Sequence, residues 1–211
     1  MTEPPNAAQE ARRGEAIVIL VGDELLAGAH PDLNGPYLAR ALGDLGVTVR
    51  RLEVHGDDEP NIEDAVRRAR RDVGWVFVAG GLGPTLDDVT RHGVARALGV
   101  GLREDAATVL ALRTLFRDLG RAFPESNRRQ ALLPEGATIL PNAAGTAPGF
   151  RAGDSASEVV VLPGPPRELD VVWEREVRPW LARRLGHVDD YVVHRLALFG
   201  ISESAFAETV G

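Results

Sequence analysis

The most constraining feature of this chain is a regular alternation between short, wholly apolar runs and longer stretches with a single apolar stripe. Ala16–Val21 and Trp75–Ala79 are unbroken apolar runs, the pattern of parallel strands buried on both faces. Between them, Asn34–Leu45 puts Leu38, Ala41, Leu42 and Leu45 on one helical face, and Gly46 supplies a stop. Val47–His55 reads as a second strand. Asp58 is placed to N-cap a helix with Pro60 at its second position and Ile62, Ala65, Val66 and Ala69 on its apolar face. After Trp75–Ala79, the segment Gly80–Thr85 leads into a helix over Asp88–Leu98. Successive βα units of this kind predict an α/β fold: a mostly parallel sheet with helices on both sides.

The second half continues with a helix over about Glu104–Leu119 and a short helical piece around Glu125–Leu133. Strands are expected at Thr138–Leu140, Gly149–Arg151 and Glu158–Leu162, followed by a helix from Arg167 to Leu185 that Pro179 kinks or breaks. Tyr191–Phe199 alternates like a half-exposed strand, and Ser202–Val210 starts a helix. A lone strand and helix cannot bury a core. The expected organisation is therefore a mobile tail over 1–14, an α/β domain over 15–186, and the start of a truncated α+β middle domain over 187–211.

Composition removes several chemistries. The chain has no cysteine, and all 24 of its Lys-plus-Arg residues are arginine. Thiol catalysis, Cys-ligated zinc, a P-loop lysine and a Schiff-base lysine are thereby excluded. A net charge of −7 without a dense basic cluster argues against general nucleic-acid binding. No apolar run approaches the roughly 18 residues of a membrane span, and the N-terminus lacks a secretory core. The expectation is a cytoplasmic protein.

In open parallel sheets, ligands bind at the carboxyl ends of the strands. Three loops there are rich in glycine and acid: Gly22-Asp-Glu-Leu-Leu-Ala-Gly28, Gly56-Asp-Asp-Glu59 and Gly80-Gly-Leu-Gly-Pro-Thr-Leu-Asp-Asp-Val-Thr90. Glycines at 80, 81 and 83 let the backbone approach an anion closely, and the following helix points its positive end at the same place. Carboxylates beside such a site suggest Mg²⁺ or a similar divalent ion bridging to phosphate. The plainer readings are that Asp58 and Asp88 are N-caps and that the Gly-Pro pairs are turns. What favours function is that all three loops fall on one sheet edge.

Gly80–Thr90 is similar to the GGxGPTxDDxT signature of the MoaB/Mog molybdopterin-binding family. Gly22–Gly28 with Asn34, Asn127-Arg-Arg-Gln130, Leu162-Pro-Gly-Pro-Pro-Arg-Glu168 and Phe199-Gly-Ile-Ser-Glu-Ser204 resemble segments of its competence/damage-inducible CinA branch. The resemblance implies a three-layer αβα fold whose mostly parallel sheet has an antiparallel edge, assembled as a homodimer or trimer. It maps the family's catalytic aspartates to Asp58 and Asp88. Together with the acidic, glycine-rich loops it points to ligand contacts at Gly22, Asn34, Gly80, Gly81, Gly83, Pro84, Thr85, Thr90, Gly164 and Pro165, and the loops themselves suggest a metal held by Asp58 and Asp88 with Glu24 or Asp87 assisting. Asp23 stands where relatives often carry a hydroxyl. The activity expected first is metal-dependent hydrolysis of an ADP-ribose-like diphosphate. The alternatives are a molybdopterin-binding or adenylylating protein of cofactor synthesis, and a non-catalytic binding module of a CinA-type protein. The ligand is accordingly a small nucleotide or pterin.

Overall fold

The computed structural model describes residues 14–186 and 199–210. The mobile-tail assignment and the Tyr191–Phe199 strand lie almost wholly outside the described residues. Among the described residues eight strands form: β1 (Glu15–Val21), β2 (Thr48–His55), β3 (Trp75–Ala79), β4 (Leu102–Glu104), β5 (Leu132–Pro134), β6 (Thr138–Leu140), β7 (Gly149–Gly153) and β8 (Glu158–Leu162). Six of them make one sheet in the order β2-β1-β3-β8-β7-β6, while β4 and β5 pair separately. The first four of that order are parallel, and β7 runs antiparallel to both β8 and β6. This is the expected mostly parallel sheet with an antiparallel edge.

The strand alternation sorts the core into two layers. Ile17, Ile19 and Val21 face one side with Val76, Val78, Val159 and Val161. Helix α3 (Glu59–Asp72) covers them through Ile62, Ala65, Val66 and Ala69, and α4 (Thr90–Leu98) through Val94 and Ala97. Ala16, Val18, Leu20, Trp75, Phe77 and Leu162 face the other side. There α2 (Asn34–Gly43) contributes Leu38 and Leu42. Trp173 is fully buried in the same layer, its ring centroid 5.8 Å from that of Phe77. Side chains of this size each add about 1.5–3 kcal/mol when withdrawn from water. The result is three layers, helix–sheet–helix.

Several boundaries differ from expectation, each for a local reason. A short helix α1 (Asp23–Leu26) follows β1 directly. Asp88 stays outside α4, because its carboxylate binds the loop before it. Helix α5 (Ala106–Asp118) starts after Asp105, whose side chain accepts from the Thr108 amide at 2.7 Å. The short helical piece is a 3₁₀ turn, Glu125–Ala131, that runs straight into β5. The last long helix is divided into α6 (Pro166–Val172), a π turn over Trp173–Val177, and α7 (Arg178–Leu185). Pro179 lacks an N–H and cannot continue a regular ladder, so the wider turn falls just ahead of it. The final described helix is α8 (Glu203–Val210). No helix among the described residues is long and apolar enough to cross a membrane.

The ends of β1 and β3 come unusually close. Gly80 has φ of +111°, and a Cβ built there would lie 2.1 Å from the carbonyl oxygen of Val21. Gly80→Ala should therefore destabilise the domain by at least the 1–3 kcal/mol or so that a strained backbone conformation costs. Urea denaturation compared with Gly136→Ala checks this. Gly136 also has positive φ (+79°) but nothing within 4 Å of the added carbon. Equal losses at both positions would mean that the contact with Val21 adds nothing.

Candidate functional site

The strand order explains where the chain leaves room. From β1 the chain crosses to β2 through α2 on one face, and from β2 it returns to β3 through α3 on the opposite face. The connection from β3 then leads away in the other direction, towards β8. Neighbouring loops at β1 and β3 thus diverge, the arrangement that opens a crevice at the carboxyl edge of such sheets. A cleft of about 680 Å³ lies there. Val21, Gly22, Ala79 and Gly80 reach it from the strand ends, and it is also lined by His30–Asn34, Gly81–Thr85 and Pro163–Pro166.

Most of the ligand contacts expected from the motifs line this one cleft: Gly22, Asn34, Gly80, Gly81, Gly83, Pro84, Thr85, Gly164 and Pro165. Thr90 does not. It is fully buried beneath the loop, its amide donates to the Gly81 carbonyl at 3.3 Å, and its hydroxyl has no partner. Asn34 joins distant parts of the rim. Its Nδ2 donates to the Gly164 carbonyl at 2.7 Å, while its Oδ1 is buried without a partner.

The four expected metal ligands do not converge. Glu24, Asp87 and Asp88 line the cleft, but Asp58 does not. Asp58 Oδ1 accepts from the Asn61 amide at 2.9 Å, an N-cap of α3, and the side chain is exposed. Asp88 is consumed by its own loop. Oδ1 accepts from the Gly83 amide at 2.7 Å, and Oδ2 accepts from the amide and hydroxyl of Thr85 at 2.8 and 2.6 Å. Two amides that could have held a phosphate are thereby occupied by a carboxylate. Among the described residues, no three His, Asp or Glu side chains gather in a way that could hold a metal ion. The donor set does not fit a resident divalent cation.

Asp57, next in sequence to the cap, lines the cleft as well. Asp57 Oδ2 accepts from the Asp23 amide at 3.0 Å, and Asp23 Oδ1 accepts from the Asp57 amide at 3.2 Å. This reciprocal pair ties the loop after β2 to α1. Burial raises the Asp57 pKa above the ordinary carboxylate range, and the charges of Asp23, Glu24 and Asp88 push it further up, against the pull of the Asp23 amide. Gln130 and Thr146 also line the cleft and hold each other, Nε2 to Oγ1, at 3.0 Å. Gln130 belongs to the Asn127–Gln130 motif, but no spacing signal had placed it against the glycine loop.

With this geometry in view, the comparisons with known proteins are informative. Residues 17–183 match the family described as a probable molybdopterin binding domain. A CinA-like protein of Frankia casuarinae is 46% identical over 201 residues, covering 92% of this chain and 46% of that protein. The solved CinA of Thermoplasma acidophilum, described as of unknown function, is 33% identical with a TM-score of 0.71, over 76% of this chain and 94% of that one. A molybdopterin biosynthesis protein from Mycobacterium abscessus shares the fold at 21% identity, with a TM-score of 0.56 over 83% of this chain and 96% of that one. The chain belongs to the probable molybdopterin-binding domain family, in its CinA-like branch. It spans about half the length of the curated relatives it matches.

These findings correct the first functional expectation. The family match and the named relatives put the chain with CinA-like and molybdopterin-binding proteins, not with ADP-ribose pyrophosphatases. The physical reason agrees with them. Metal-dependent hydrolysis needs carboxylates free to hold an ion, and here Asp58 caps a helix while both oxygens of Asp88 bind the loop.

The raised pKa of Asp57 has a definite sign. The folded state holds its proton more tightly than the unfolded chain does, so ionisation costs stability, and this cost grows as pH rises through the folded pKa. Asp57→Asn keeps an oxygen acceptor for the Asp23 amide and removes the charge. It should stabilise the fold near pH 7, with the gain disappearing below about pH 3, where both side chains are neutral. Urea midpoints at the two pH values check this, and a gain independent of pH would dissociate the effect from the charge.

Proposed function

We propose that this domain binds a phosphorylated pterin of the molybdopterin class in the cleft at the ends of β1 and β3. The observation that carries the reading is that most of the family's signature residues line one 680 Å³ cleft. That volume falls within the roughly 300–1,000 Å³ range of small-molecule sites. The lining chemistry supports a pterin. A pterin ring presents N–H donors beside ring-nitrogen and carbonyl acceptors, and the unpartnered Oδ1 of Asn34 is a buried acceptor in want of such a donor. Gly80–Thr85 and Pro163–Pro166 present backbone and flat rings with little side-chain bulk, so a planar ligand can lie close to the sheet edge. Asp57 also lines the cleft, where its carboxyl oxygens can accept from a ring N–H. The ligand itself supplies the dithiolene chemistry; the chain's part is to orient the pterin and exclude water from one of its faces.

An anaerobic fluorescence titration with molybdopterin tests the reading. The expected result is saturable binding, weakened about tenfold in Asn34→Ala, which removes both the orphaned acceptor and the tie to Gly164. Absence of saturable binding by the unaltered protein would overturn it. Circular dichroism on the same samples confirms that the variant is folded.

A further inference from the structure

The cleft is rich in hydrogen-bond acceptors and short of donors. Glu24, Asp32, Asp57, Asp87, Asp88 and Glu168 all line it. Of the side-chain donors there, Asn34 Nδ2 is taken by the Gly164 carbonyl and Thr85 Oγ1 by Asp88 Oδ2, while His30 is exposed. Amides at the strand ends are taken too. Gly22 donates to the His55 carbonyl at 3.0 Å and Gly80 to the Leu162 carbonyl at 3.2 Å. A ligand oxygen entering this cleft therefore depends on whichever donor the protein has left unused.

The Asn127–Gln130 motif supplies one through Thr146. The two residues sit in the 3₁₀ turn Glu125–Ala131, where side chains three apart eclipse each other. Asn127 is 6% exposed and Gln130 1%. Asn127 Nδ2 donates to Gln130 Oε1 at 2.9 Å, which fixes the two ends of the Gln130 amide. Its Nε2 is left to donate to Thr146 Oγ1 at 3.0 Å. Thr146 thus accepts from the protein, and its own proton has no acceptor among the described residues. A hydroxyl that accepts one bond becomes a stronger donor in the next. The loop carrying Thr146 is itself held in place. Asn142 Nδ2 donates to the Ala147 carbonyl at 2.9 Å and to Glu168 Oε2 at 2.6 Å, and Asn142 Oδ1 accepts from the Ala144 amide at 3.0 Å.

We propose that Thr146 selects the ligand by donating its hydroxyl proton to an uncharged carbonyl oxygen of the ring, with Asn127 and Gln130 as the positioning residues that aim it. The carboxylates lining the same cleft make an uncharged oxygen a better partner here than an anionic one. The proposal rests on the cleft reading above and deepens it. Asn34 and Asp57 meet the N–H groups of the pterin, and Thr146 meets the carbonyl beside them.

Two fluorescent probes test this: 2-amino-4-oxopteridine, and 2,4-diaminopteridine, in which an amino group replaces the oxygen. Both are titrated into the unaltered chain, Thr146→Val and Thr146→Ser, with molybdopterin alongside. The unaltered chain should bind the oxo compound about fivefold tighter than the diamino compound. Thr146→Val keeps the shape without the hydroxyl and should bring that ratio close to one, while Thr146→Ser retains it. Gln130→Met leaves the hydroxyl unaimed and should also lower the ratio, with little further change when Thr146→Val is added. A merely structural loss weakens both probes alike and leaves the ratio unmoved. Equal binding of the probes by the unaltered chain, or a ratio that survives Thr146→Val, overturns the proposal. Molybdopterin distinguishes this failure from that of the wider reading. If it binds while the ratio ignores Thr146, or while neither probe binds, the role of the hydroxyl falls and the cleft assignment stands. If neither molybdopterin nor either probe binds, both fall. Should Gln130→Met not fold by circular dichroism, the two Thr146 variants decide alone.

Discussion

The carbonyl oxygen of Val21 occupies the space that a side chain at position 80 would need. That single close approach lets β1 and β3 end side by side, and the cleft depends on it. Were the two ends held apart, Gly22 and Gly80 would no longer share a floor, and the loops after them would lose their common edge. Gly80 and Gly81 both have positive φ, which turns the chain at the strand end, and a Cβ at Gly81 would meet the Thr90 side chain rather than Val21. The three-layer packing keeps the arrangement stiff, because β1 and β3 are buried on both faces by side chains that alternate between the two cores.

Electrostatically, the cleft is acidic. Glu24 and Asp87 are open to water, and Asp57 is drawn into a reciprocal pair with Asp23. Asp88 also lines the cleft, but both of its oxygens are bound within the glycine loop.

How much of this was legible in the sequence depends on how each element is stabilised. β3 and β8 fall at the residues expected, Trp75–Ala79 and Glu158–Leu162, because strands buried on both faces are written as unbroken apolar runs. β4 and β5 were missed because the expected helices over Glu104–Leu119 and Glu125–Leu133 ran into them, whereas the equally short β6 was found. In Gly56-Asp-Asp-Glu59 the following Pro60 and apolar stripe mark Asp58 as the N-cap, and its side chain does satisfy the amide of Asn61; Asp57, which no motif singled out, lines the cleft. Arg91 was invisible for a different reason. A charged residue in the first turn of a helix reads as solvent-facing, yet Arg91 is 2% exposed and its Nη1 donates to the Leu82 carbonyl of the glycine loop.

The strand order carries a consequence for how the protein is made. β8 lies between β3 and β7 in the sheet, yet of that sheet's described strands it comes last in the sequence. Until residues 158–162 leave the ribosome, the wholly apolar β3 has an open edge with unmade hydrogen bonds, the kind of surface on which nascent chains associate wrongly. The bond from Asn34 to Gly164 sets the same requirement at the rim, joining groups 130 positions apart. A ribosome-bound fragment ending before β8 thus has an incomplete sheet and no closed cleft. Ligand capture can begin only once nearly the whole domain has emerged.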